Sequence, residues 1–131
     1  MMRLARLPLL ALVAGCASAT APAPVVVGSW GGTQASLVLA DSGGALQLPC
    51  AGGKIDSAWT LTSEGRFAAG GTYFIEAGPV PAGGPAPHPA HYVGEVAGDH
   101  LTLTITVPDL GETVGPLDLV RNGPPVRLLC L

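Results

Sequence analysis

The chain is short of charge and short of aromatic rings. Its 131 residues hold six Lys and Arg against nine Asp and Glu, with only two each of Trp, Tyr and Phe. No basic patch or arginine run is available to neutralise phosphates, so nucleic acid is not an expected partner. Gly-x-Ser-x-Gly, phosphate-binding and dinucleotide motifs are all missing. Ser29, Ser36, Ser42, Ser57 and Ser63 have no histidine near them in sequence. Long apolar runs are missing too. The leading one, Leu7 to Ala14, has eight residues, where a membrane-spanning helix needs about 20. Nowhere do about ten residues keep helical spacing without Gly or Pro.

What the N-terminus does have is a secretory plan: basic Arg3 and Arg6, the short apolar run, then Val13-Ala14-Gly15-Cys16. A branched apolar residue, two small residues and a thiol that can be alkylated form a lipobox, and this leader resembles those of bacterial lipoproteins. The resemblance covers the leader alone. It implies that residues 1–15 are a signal peptide, that Cys16 becomes the lipidated first residue, and that the protein works in the cell envelope as a lipid-anchored protein. Ala17 after the cysteine implies the outer membrane where the host has one. The alternative is ordinary cleavage after Ala17-Ser18-Ala19, giving a secreted soluble protein. Residues 16–24 are small and proline-bearing and read as a tether. Residues 25–131 make one domain. With Arg3 and Arg6 removed, four basic residues face nine acidic ones, a net charge near −5. Anionic lipid would not attract that surface, so the acyl chains must hold the membrane.

Of three cysteines, Cys50 and Cys130 remain after lipidation. In an oxidising compartment a disulfide is the expected state. Closing a loop of about 80 residues is worth roughly 4–5 kcal/mol in the chain-entropy model, and it would hold down a terminus that could fray. No Cys-x-x-Cys or adjacent base supports reactive thiols.

Period-two alternation dominates the domain. In His100 to Val107, Leu101, Leu103, Ile105 and Val107 share one face and Thr102, Thr104 and Thr106 the other, as a half-buried strand requires. Ser36 to Ala40, Ala45 to Cys50, Leu117 to Arg121 and Val126 to Cys130 repeat the pattern. Trp59 to Leu61, Arg66 to Ala69, Thr72 to Glu76 and Tyr92 to Val96 are further candidates. Short Gly, Asp, Asn and Ser clusters separate the runs as hairpin turns do. The expected fold is all-β: a small antiparallel β-barrel of about eight strands, with a β-sandwich as the alternative. Gly78 to Pro89, with five prolines and three glycines, is expected to be a long loop.

Candidate chemistry is thin. His88 and His91, with His100 nearby, could contribute to a metal site, but a proline-rich loop does not by itself set tetrahedral geometry. Glu76 and Glu95 could form an acid–base pair if neighbouring strands brought them together. Asp109 and Glu112 offer two of the six or more oxygens that calcium takes. The expectation is therefore no enzyme, no metal and no cofactor.

Gly28-Ser29-Trp30 opens the first strand, and this Gly-x-Trp resembles the start of calycin barrels (lipocalins, avidins and relatives). The resemblance implies that Trp30 plugs one barrel end and that a late-strand arginine, here Arg121, packs over it. Small uncharacterised β-barrel envelope lipoproteins are similar in the same general way. Two functions follow as expectations. The first is an envelope lipoprotein acting by protein contact, as inhibitor or accessory subunit, through a loop surface including Pro79, Pro81, Pro85, His88 and His91. The alternative is a carrier holding a small apolar ligand inside the barrel.

Overall fold

A computed structural model describes residues 25–79 and 81–125. Cys16, Cys130, the leader, the tether and the expected closing strand Val126 to Cys130 lie outside the described residues. Ten strands run in order: β1 (Val25–Val26), β2 (Gly28–Gly31), β3 (Ser36–Ala40), β4 (Gly43–Leu48), β5 (Ala51–Ile55), β6 (Trp59–Thr60), β7 (Arg66–Ile75), β8 (His88–Ala97), β9 (His100–Val107) and β10 (Glu112–Arg121). A 3-10 turn, Pro108–Leu110, links the last two. All but β1 and β6 close into an antiparallel barrel, β2-β3-β4-β5-β7-β8-β9-β10 and back to β2. The expected barrel forms, and the sandwich does not.

The alternation sets the wall. In β9 the four apolar residues are buried and the first and last threonines exposed. β10 closes the ring on β2 through Val120–Gly31 and Arg121–Trp30, and the Asn122 N–H donates to the Ser29 carbonyl at 2.8 Å beyond it. Closure leaves the eight wall strands no free edge to pair with another chain.

The two ends differ. At one, β1 pairs with β6 across the opening, burying Val26 and Trp59. Turn 41–42, segment 56–65 and turn 98–99 belong to this closed end. At the other lie turns 32–35 and 49–50, loop 76–87 and the 3-10 turn. Between the ends the barrel is packed with its own side chains. Trp30, Trp59, Tyr92, Leu37, Leu103 and Ile105 are all under 2% exposed. Inward glycines make room for the rings: a Cβ on Gly53 would strike the Tyr92 hydroxyl, and one on Gly94 the Phe67 ring. An eight-stranded barrel has an interior just wide enough for such filling.

Several expected boundaries move. The expected strands Arg66 to Ala69 and Thr72 to Glu76 merge into one, which ends at Ile75, leaving Glu76 just beyond it, and runs through Gly70-Gly71. There the Lys54 backbone approaches so closely that a Cβ on Gly71 would collide with its carbonyl. β5, Ala-Gly-Gly-Lys-Ile, is a strand that the alternation does not predict, because glycines at its second and third positions hide the pattern. The proline-rich loop is shorter than expected. His88 pairs with Tyr73 and Pro89 with Thr72, so His88 and His91 belong to β8 and not to the loop. Pro89 lacks an N–H and sits second in its strand, one residue in from the first position, where a ladder takes proline most readily.

Candidate functional site

The closed end is a sealed cap. Trp30 is 1% exposed, and the Arg121 guanidinium carbon lies 4.4 Å from its ring centroid. Arg121 reaches it because the strand alternation that turns Leu117 and Leu119 inward turns Arg121 the same way. Its Nε also lies 3.5 Å from the Asp99 carboxylate. Trp59 stacks on Phe67 at 3.6 Å between centroids. Both indole N–H groups are buried with no hydrogen-bond partner among the described residues. This end offers a ligand no opening.

The open end holds a concavity of about 350 Å³, lined by Gln34, Leu48, Pro49, Ala51, Tyr73, Val114 and Leu117. Its floor is apolar. Leu48, Ala51, Tyr73 and Leu117 are each 5–6% exposed. Val114 and Leu117 are three apart and would face opposite sides of a regular strand. They share this site because the register with β9 slips between them: Gly115 and Pro116 together oppose Thr104, a β-bulge. That slip is invisible to a period-two reading, and with it the site.

A polar rim surrounds the floor. Glu112 has the inward parity of Val114, and it acts on Tyr73. Burial raises the phenol's pKa above its usual value, and the negative charge of Glu112 raises it further. Tyr73 thus stays a protonated donor. His88, register partner of Tyr73, has its Nδ1 3.8 Å from the Asp109 carboxylate. Glu76 is tied to the same end by its backbone N–H, which donates to the Cys50 carbonyl at 2.9 Å. Deeper in the barrel, the Tyr92 hydroxyl donates to the Thr72 carbonyl at 2.7 Å. Burial, then Tyr73, then Asp56 push its pKa well above the usual tyrosine value.

The other candidate residues scatter. His88 and His91 are three apart on one strand and face opposite sides. No group of three or more His, Cys, Asp or Glu able to hold a metal occurs among the described residues. Glu76 and Glu95 sit at opposite ends of the β7–β8 hairpin: Glu95 pairs with Arg66, the first residue of β7, while Glu76 follows its last. Asp109 and Glu112 do share the open end, one in the 3-10 turn and one opening β10. Pro79, Pro81 and Pro85 lie in loop 76–87 beside it, whereas His91 is exposed on the outer wall. A second groove, of about 290 Å³, crosses the outer wall between Ser29, Val38, Gln47 and Pro125. No family model, no curated protein and no solved structure matches this chain.

Proposed function

We propose that this protein is a lipid-anchored envelope protein that acts by protein contact, without chemistry of its own, and grips its partner at the open end of the barrel. The filled interior carries this reading. A small-molecule site encloses most of its ligand, and here the volume such a ligand would need is taken by Tyr92, the two tryptophans and the core leucines. What remains is a shallow apolar recess with a polar rim, the shape that receives a protruding side chain. Loop 76–87 extends the surface around it. Orientation supports the reading as well. The described chain begins at Val25 in the closed-end ribbon, so a tether from Cys16 would join the barrel at its closed end and leave the open end unobstructed by it.

Cys50 closes the turn between β4 and β5 at this same end, with a φ of 61°. Site-specific photo-crosslinking in the native host tests the contact reading. A photoreactive residue at Gln34 or Glu112 should yield a protein adduct, and one at Val93 on the outer wall should not. Adducts from Val93 alone would refute the reading. Cys16→Ser should move the protein from the membrane to the soluble fraction, and retention on the membrane would refute the anchor.

A further inference from the structure

The charge at the two ends is unequal. Every charged group in the open-end segments other than His88 is a carboxylate: Glu76, Asp109 and Glu112. The described Lys and Arg side chains are Lys54, Arg66 and Arg121, and each is placed elsewhere. Arg66 lies near the Glu64 and Glu95 carboxylates, at 3.9 and 4.0 Å, and Arg121 near Asp99. Lys54 is exposed on the outer wall in register with Ala45 and Thr72. The rim carboxylates therefore have no basic side chain of the described chain to neutralise them, save His88 beside Asp109 when it is protonated.

A second observation lies at the bottom of the recess. Tyr73 is 6% exposed and lines the concavity, yet its hydroxyl has no hydrogen-bond partner among the described residues. Tyr92, one strand away, has the Thr72 carbonyl. The hydroxyl keeps contact with solvent, since the buried unpartnered polar side-chain atoms among the described residues are the two indole nitrogens, and Tyr73 lines the recess within the field of Glu112. An arriving carbonyl oxygen can accept from the hydroxyl.

We infer that the open end receives a protein segment presenting an exposed aliphatic side chain flanked by lysine or arginine. This rests on the contact reading proposed above and goes further by stating the partner's chemistry. The aliphatic group occupies the floor of Leu48, Ala51, Val114 and Leu117. The flanking cations meet Glu76, Asp109 and Glu112, and the segment's backbone carbonyl accepts from Tyr73. An acidic segment would meet three like charges and leave the phenol's surroundings more negative still. Rim charges of this kind discriminate between partners more than they raise affinity.

The test uses the mature chain from residue 16 to Leu131 with Cys16→Ser, isotope-labelled, and three end-blocked pentapeptides. Each has a central leucine, flanked by lysines, glutamines or glutamates. The lysine peptide should shift the backbone amides of 48–51 and 112–117 and bind about 3–10-fold tighter than the glutamine peptide, as a few exposed ion pairs allow. The glutamate peptide should bind weakest. Raised salt should shrink the spread, and the triple change Glu76→Gln, Asp109→Asn, Glu112→Gln should abolish it. Tyr73→Phe should weaken all three peptides alike, by about 2–10-fold. The inference is overturned if the glutamate peptide binds as well as the lysine peptide, if the shifts map to the outer wall, or if the lysine peptide causes none at millimolar concentration. Crosslinks at Gln34 and Glu112 without the charge order would defeat this inference alone. Crosslinks confined to the outer wall would defeat the contact reading beneath it.

Discussion

Replacing Arg121 tests how the closed end is held. The guanidinium lies 4.4 Å over the Trp30 ring, well inside the range of cation–π attraction, which contributes about 0.5–2 kcal/mol depending on desolvation. Its side chain is 40% exposed, which places it between the wet and dry limits, and the methylene stem covers part of the indole. Arg121→Ala should therefore cost about 1–2 kcal/mol, or about 4–16 °C in Tm for a domain near 100 residues. Three further variants separate the causes. Asp99→Asn removes the ion pair alone. Asp99 is 77% exposed, so the loss should be within about 0.5 kcal/mol. Arg121→Met keeps the stem without the charge and should fall between. Arg121→Ala and Trp30→Leu, combined, should couple by about 0.5–1 kcal/mol, the portion carried by the pair itself. The assay is urea unfolding followed by tryptophan fluorescence, because guanidinium salts would screen the charges under test. The reasoning is refuted if Asp99→Asn costs as much as Arg121→Ala, or if the coupling is below about 0.3 kcal/mol, within the scatter of additive sites.

Gly94→Ala should destabilise by about 1–3 kcal/mol, because its Cβ would enter the Phe67 ring, which Trp59 holds in place. Gly70→Ala, with open space around its Cβ, should be neutral or slightly stabilising, and equal losses in both would disprove the packing argument. Tyr92→Phe should cost about 1 kcal/mol near neutral pH by removing the bond to Thr72. It should also flatten the alkaline limb of stability. The native phenol keeps its proton above the unfolded value of about 10, so the unfolded chain binds fewer protons there and wild-type stability falls as pH rises past that value. A variant with the same alkaline slope as wild type would contradict this. If Cys50 and Cys130 are bridged, thiol titration of the denatured mature chain should find none, and two reactive thiols would refute the pairing. Replacing 78–86 with a short Gly-Ser linker should leave Tm within a few degrees, since the flanking pair Tyr73–His88 remains; a large drop would show that the loop is part of the core.

Much of the wall was legible before any fold was known. β3, β4 and β9 alternate cleanly because one face of each is buried and the other wet, and the residues record that difference directly. The long strands were harder. β7 runs through two adjacent glycines and β8 begins at a proline-flanked histidine. These local signals for a turn are outweighed by ladders on both sides of each strand. The Arg121–Trp30 contact was approachable from sequence because it follows from two strand positions and a known kind of plug. The open-end recess was not. Its lining comes from segments far apart in sequence, and its floor depends on a slip of one residue in β10.

By itself, then, the sequence determined an all-β chain of half-buried antiparallel strands, with barrel and sandwich both open to it. Tertiary structure alone decided which end is sealed and which stays open, that the interior is filled, and that Glu76, Asp109 and Glu112 share one end of the barrel with Tyr73. The reason is physical. Alternation is imposed on each strand by burial and can be read locally. A site is made by register, shear and closure, which relate residues that the chain keeps apart.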